Sequence, residues 1–282
     1  MSLKDCRVAI VGLGLMGGSL GLALRGKCRS VSGHDRKPAT ARGALDRGAV
    51  DRVLDNPVDL LRDTDLMILA TPVGAILELL PRLAHGAGSD LVHLLDLGST
   101  KNEIVEAMAG LPEIFSPVGG HPMCGKETSG IQSADGGLFL DKVFVITPLE
   151  RTKPETLHLV RELVATAGAR PILLDPESHD QIAAVISHAP YLIASALVEA
   201  ARLSDQDGVG DLAASGLRDT TRIAASDVTM MLDVLLSNRS PTLEALGRVE
   251  DALRRLSAHL RRGDREALRV SLDRIRSWRE EL

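Results

Sequence analysis

Between residues 119 and 130 the chain reads Gly119-Gly120-His121-Pro122-Met123-Cys124-Gly125-Lys126-Glu127-Thr128-Ser129-Gly130, one imidazole and one carboxylate among four glycines. So little side-chain bulk builds a site rather than a core, and an unperturbed imidazole, with a pKa of about 6.5, is a base suited to neutral pH. A second pattern lies upstream. Gly12-x-Gly14-x-x-Gly17 follows the apolar run Val8-Ala9-Ile10-Val11 and opens an apolar helix through Gly18, Leu20, Leu22 and Leu24. In that context Gly12 permits a tight turn, Gly14 lets the backbone approach a pyrophosphate, and Gly17 allows close helix–strand packing. The N–H groups at the helix start, around Leu15 and Met16, attract the phosphates. A histidine base and a dinucleotide site in one chain point to a dehydrogenase.

Asp35 ends the second strand, eighteen residues past Gly17. There an acidic side chain accepts hydrogen bonds from the adenine ribose hydroxyls and repels a 2′-phosphate, which favours NAD; Arg36 beside it can stack on adenine or neutralise a phosphate, so NADP is not excluded. Thr71-Pro72 and Ser99 follow later strands at carboxyl ends, where ligands of open α/β sheets gather. Ser99 is expected either beside the nicotinamide or as an ordinary N-cap of the next helix, two roles that are compatible. His121 is expected on a loop that leaves the strand Ile114–Val118.

The elements that must position these residues are legible as alternation. Strands are expected at Val8–Val11, Ser30–Gly33, Asp65–Ala70, Leu91–Leu95, Val143–Thr147 and Pro171–Leu174, and helices at Gly18–Leu24, Ala39–Arg47, Ile76–Leu83, Thr100–Ala109 and Glu155–Ala167. Such alternation makes βαβ units and a mostly parallel sheet, hence a Rossmann-like α/β domain over residues 1–174. After Asp175-Pro176 every segment reads as helix, starting with a long one over Glu177–Leu203, so residues 175–282 form an all-α domain. Leu246, Val249, Leu253, Leu256 and Leu260, then Leu268, Leu272 and Ile275 beyond the Arg262-Gly263-Asp264 turn, give an antiparallel helical hairpin. That domain carries more apolar surface than one sheet edge covers, so it is expected to pair with a second copy as a homodimer.

Composition narrows the partners. Of 282 residues 44% are hydrophobic, and 33 basic against 38 acidic side chains give a formal charge of −5, no field for nucleic acid or anionic lipid. A small-molecule substrate is expected. Ten arginines between Arg248 and Arg279 are interspersed with acids and read as a solvated helix face. Cys6, Cys28 and Cys124 are widely spaced, which makes neither a disulfide framework nor a metal site, and Cys124 reads as a small packing residue. No cationic leader precedes Val8, and the uncharged stretch Ile182–Val198 reads as a buried helix of a soluble protein. A cytoplasmic location without membrane contact is expected.

Taken together, Ile10 to Leu20, Ala70-Thr71-Pro72-Val73, Asp96-x-Gly98-Ser99-x-Lys101, His121-Pro122-Met123-x-Gly125-x-Glu127-x-Ser129-Gly130, Ser187-His188-x-Pro190 and Arg218-Asp219-x-Thr221-Arg222-Ile223-Ala224 resemble the prephenate/arogenate dehydrogenases of tyrosine biosynthesis. The likeness runs from about residue 6 onward, and no stretch resembles a fused chorismate mutase or a regulatory ACT domain. It implies NAD-dependent oxidative decarboxylation of prephenate to 4-hydroxyphenylpyruvate, or of L-arogenate to L-tyrosine. The ring 4-hydroxyl loses a proton, its carbon gives up hydride, and the ring carboxylate leaves as carbon dioxide.

By that resemblance His121 is the base, Ser99 orients the hydroxyl, and Arg222 holds a substrate carboxylate, with Arg218 in reserve. Glu127 resembles an acidic gate residue, and Asp219, one turn before Arg222, can pair with the same arginine. His188 precedes Pro190, which is expected to kink the long helix; its imidazole reads either as turned towards the substrate or as a satisfied core group. Tyr191 and Met231 stand where relatives carry a histidine and a tryptophan, so those two roles do not carry over. Two other readings fit part of the sequence: a β-hydroxyacid dehydrogenase, for which the expected glycine-rich helix with a catalytic lysine is missing, and a non-catalytic NAD-binding regulatory protein.

Overall fold

The structure, a computed structural model, describes residues 1–126, 128–204 and 208–281. Its chain divides into two compact units, Met1–Ala183 with Ala225–Asn238, and Ala184–Ala224 with Arg239–Leu282.

In the first unit, strands β1 (Arg7–Val11), β2 (Ser30–His34), β3 (Arg52–Val53), β4 (Leu66–Leu69), β5 (Val92–Asp96), β6 (Phe115–Pro122), β7 (Val143–Pro148) and β8 (Arg170–Leu173) form one eight-stranded sheet in the order β3-β2-β1-β4-β5-β6-β7-β8. Every adjacent pair is parallel except β6–β7. The expected Rossmann-like sheet is therefore present, with β3 as a short addition that two residues of sequence do not announce.

Side chains alternate across this sheet, and both faces are apolar. Val8 and Ile10 of β1, with Leu66 and Ile68 of β4, pack into one core beside Leu20 and Leu24 of α1 (Leu15–Leu24) and Leu159 and Leu163 of α5 (Pro154–Thr166). Ala9, Val11, Met67 and Leu69 face the other core, against α3 (Val73–His85) and α4 (Asn102–Ala109). This is why the strands read as continuous hydrophobic runs rather than alternating ones. α2 (Pro38–Asp46) completes the helices between strands.

The first unit reaches beyond residue 174. α6 (Pro176–Ala183) belongs to it, because Asp180 accepts hydrogen bonds from the Lys101 and Asn102 amides at 2.7 and 2.9 Å, at the start of α4. So does α10 (Val228–Ser237). Its Asp233 accepts from the Gly74 amide at 3.2 Å, and its Ser237 hydroxyl lies 2.8 Å from that of Thr100. Composition shifts after Asp175, whereas compactness follows these polar contacts.

The second unit is entirely helical among its described residues: α7 (Ala189–Arg202), α8 (Val209–Leu212), α9 (Ser215–Thr221), α11 (Arg239–Arg261) and α12 (Arg265–Glu281), the last two forming the expected hairpin. The long helix expected over Glu177–Leu203 is interrupted by a π-helical turn, Ala184–His188, directly before Pro190. Widening the turn accommodates a proline that has no N–H to offer. Its apolar stretch was expected to be buried, yet Ile182, Val185, Ile186, Leu197 and Val198 are all exposed in the single chain. Helix formation alone leaves these side chains uncovered.

Candidate active site

The carboxyl ends of β1, β2, β4, β5 and β6 carry, in turn, the Gly12–Gly17 segment, Asp35-Arg36, Thr71-Pro72, Ser99 and His121. At the first of these ends the glycines divide by physical cause. Gly12 has φ +92°, and a Cβ there would lie 2.5 Å from the Ala70 carbonyl oxygen. A Cβ on Gly17 would lie 1.9 Å from the Gly12 carbonyl oxygen. Around Gly14, by contrast, a Cβ would meet nothing within 4 Å. Gly14 is also the N-cap of α1, where no side chain satisfies the first-turn amides. Open space in front of uncapped helix N–H groups is what an anionic phosphate requires.

Asp35 holds its own turn together. One carboxylate oxygen accepts from the Leu13 amide at 2.8 Å and the other from the Lys37 amide at 2.9 Å. Each oxygen keeps a further lone pair for a hydroxyl. With His34, Arg36, Ala41, Leu54 and Arg82 it lines a cleft of about 430 Å³. Thr71 adds an unsatisfied polar group: its hydroxyl is buried and has no hydrogen-bond partner among the described residues. Pro72 is the N-cap of α3 and offers that helix no side-chain cap. An uncapped helix start, a polar cleft and an orphaned hydroxyl fit a dinucleotide.

Ser99 does not cap α4. The N-cap position is Lys101, and the helix's first amides are met by Asp180 instead. Partly exposed Ser99 sits in a turn held from beneath by a buried pair. Asp96 accepts from the Gly98 amide at 2.8 Å, from the Gly120 amide at 3.3 Å and from the Lys101 ammonium, which also donates to the Gly120 carbonyl at 2.7 Å. Burial pushes the Asp96 carboxyl up and the Lys101 ammonium down, each opposed by the other's charge. This pair ties the Ser99 turn to the strand of His121.

His121 is a strand residue rather than a loop residue, which corrects the expected boundary at Val118: β6 continues to Pro122 in antiparallel register with β7, His121 opposite Val145. The glycines before it are there for packing. A Cβ on Gly119 would lie 1.9 Å from the Thr147 hydroxyl, and one on Gly120 would lie 2.8 Å from the Asp96 carbonyl oxygen.

Sequence reasoning missed the partners of this histidine. His121 Nδ1 lies 2.8 Å from His179 Nε2, the rings meeting edge to face with centroids 5.0 Å apart. His179 Nδ1 in turn lies 2.8 Å from Asp180 Oδ1. His179 and Asp180 are both buried, on the face of α6 that also buries Ala183. A His-Asp dipeptide three to five residues ahead of Ala183 and Ala184, on one helix face, was the available signal.

The other expected residues are described within their own units. Glu127 falls outside the described residues. Arg222, in the turn Arg222–Ala225, and Asp219, on α9, are exposed in the second unit, and Arg218 donates to the Ala213 carbonyl at 3.1 Å. His188 is buried there, its Nδ1 3.4 Å from the Thr242 hydroxyl of α11. Cys124 packs against the sheet's core, and burial pushes its thiol up to about 11, so it stays protonated at neutral pH.

The family model for the nucleotide-binding domain of prephenate dehydrogenase matches residues 20–173, and that for the prephenate dehydrogenase dimerization domain matches residues 175–274. The chain is 34% identical to a prephenate dehydrogenase of Bacillus subtilis over 86% of its length and 66% of that relative's. It is 34% identical to one from Lactococcus lactis over 93% of its length and 73% of the relative's. A crystal structure of A. aeolicus prephenate dehydrogenase in complex with hydroxyphenyl propionate and NAD+ superposes with a TM-score of 0.92 at 31% identity, covering 100% of this chain and 99% of the other. By motif, fold and descent alike, the chain belongs to the prephenate dehydrogenase family.

Proposed function

We propose that this chain is an NAD-dependent oxidoreductase that converts prephenate to 4-hydroxyphenylpyruvate by oxidative decarboxylation. The observation that carries the reading is the placement of His121 at the carboxyl end of β6, in the same row of strand ends as the Gly12–Gly17 turn, Asp35 and Thr71. NAD, when bound, supplies the hydride acceptor. Gly12, Gly14, Leu15, Met16 and Gly17 receive its pyrophosphate through main-chain amides, Asp35 takes the ribose hydroxyls, and Arg36 flanks the adenine. Thr71 and Pro72 border the same run, the Thr71 hydroxyl being a donor that lacks a partner among the described residues.

The chain's own chemistry is proton removal and anchoring. His121 takes the proton of the ring 4-hydroxyl, and Ser99 hydrogen-bonds that hydroxyl so that its proton faces the imidazole. Arg222 binds a substrate carboxylate through its planar guanidinium, with Glu127 and Asp219 as acidic partners and His188 as a supporting residue. Prephenate and L-arogenate share the ring and ring carboxylate these groups address; prephenate is the substrate we assign. The exposed apolar side chains of the long helix, including Val185, Ile186, Leu197 and Val198, are covered by a second copy of the chain, in a cytoplasmic homodimer.

Steady-state rates with prephenate and with arogenate, each with NAD and with NADP, test the reading. NADH formation is expected with prephenate, and no reduced cofactor with either substrate overturns it. His121→Asn is expected to lower kcat by on the order of 10² or more with NAD affinity unchanged. Unaltered turnover removes His121 from the mechanism. For Arg222→Ala a higher KM is expected, and a KM equal to the parent's rejects the carboxylate anchor.

A further inference from the structure

A base that removes the hydroxyl proton must present a lone pair, so its neutral imidazole must carry its one N–H on the other ring nitrogen. We infer that His179 and Asp180 are positioning residues that fix the tautomer and ring orientation of His121, leaving Nε2 as the basic nitrogen. The inference rests on His121 being the base, as proposed above.

The assignment follows from the fixed end of the chain of contacts. Both Asp180 oxygens already receive backbone amides, Oδ1 from Lys101 at 2.7 Å and Oδ2 from Asn102 at 2.9 Å, so the side chain faces its neighbours as an acceptor. His179 Nδ1, 2.8 Å from Oδ1, is then the donor, and in a neutral ring its Nε2 is left as an acceptor. The nitrogen 2.8 Å from that acceptor, His121 Nδ1, therefore carries the proton. In the neutral ring this places the lone pair of His121 on Nε2.

Each link is also rigid. Asp180 and His179 are 0% and 2% exposed, and the Asn238 side chain donates to the Asp180 backbone carbonyl at 2.7 Å. His121 itself is held by the β6–β7 ladder. When Nε2 takes the substrate proton, the imidazolium keeps its Nδ1–H on His179, and the Asp180 carboxylate faces the new positive charge across one intervening ring. The pair passes no proton onward. It sets which nitrogen reacts and stabilises the charge that appears there.

The test compares His179→Leu, which removes the acceptor, with His179→Gln, whose amide oxygen can replace Nε2 as acceptor while its NH₂ faces Asp180. His179→Leu is expected to lower kcat by on the order of 10²-fold, with NAD affinity and KM for prephenate within about threefold of the parent, and His179→Gln to recover most of the loss. Equal rates for both variants and the parent overturn the inference. If His121→Asn has meanwhile abolished turnover, that result leaves the base assignment standing. If His121→Asn is fully active, the base assignment itself fails. Imidazole ¹⁵N spectra of the unsubstituted enzyme at a pH where His121 is neutral provide a readout that does not depend on a variant folding. Protonated Nδ1 and bare Nε2 at His121 are expected, and the reverse tautomer overturns the proposal.

Discussion

At the β1–α1 turn the groups offered to a ligand are main-chain amides, and the residues that matter are those with no side chain. At the ends of β5 and β6, a few strands away, the working groups are side chains held by other buried side chains: Asp96 by Lys101, His121 by His179, His179 by Asp180. Backbone sites are built by leaving space, and their chemistry is generic. Side-chain sites are built by filling space with polar groups, each of which must find a partner or cost stability. The difference teaches that one edge of one sheet tolerates change in opposite ways at its two ends.

That contrast can be broken at its polar end first. Lys101→Met leaves the Asp96 carboxyl buried without its cation, and a loss of about 3–5 kcal/mol in urea unfolding is expected. A double change to Asp96→Leu with Lys101→Met is expected to recover part of it, since two apolar groups leave no unpaired charge. A loss no larger than that of an ordinary surface change would show the polar end to be as permissive as the other. At the glycine end, Gly17→Ala forces a Cβ to within 1.9 Å of the Gly12 carbonyl oxygen, and a loss of about 1–3 kcal/mol is expected together with weaker NAD binding. Gly14→Ala is the smallest and most discriminating change. Its Cβ meets nothing within 4 Å among the described residues, so stability is expected to stay within about 0.5 kcal/mol while the NAD dissociation constant rises. Equal destabilisation by the two alanines would mean that Gly14, too, is a packing residue.

The same contrast explains what the sequence reveals. Gly12, Gly14 and Gly17 after an apolar run announce themselves because backbone requirements restrict residue type at fixed spacing. The parallel sheet is legible for a similar reason, since strands covered on both faces become continuous runs of Val, Ile and Leu. His179 and Asp180 are not legible in that way. Their partners are 58 and 79 residues distant in sequence, at His121 and Lys101, and only the docking of α6 beside α4 brings them together. The placement of His121 on a strand was hidden by Gly119 and Gly120, which look like loop residues but are imposed by Thr147 and by the backbone of Asp96. Likewise Ser99 looks like a helix cap, and the capping is supplied by a carboxylate from a later helix.

Helix α10 gives the molecule a property that bears on how it can be recombined. Because Ala225–Asn238 is threaded back onto the cofactor unit after an excursion of the chain, a gene fragment that stops at residue 174 or 183 encodes that unit without the helix that packs on α3. The Gly74 amide and the Thr100 hydroxyl would then lose Asp233 and Ser237. A cassette swap at the compositional seam is therefore expected to express poorly, whereas a fusion that joins residue 183 to residue 225 through a short designed linker keeps every piece of the cofactor unit in one cistron.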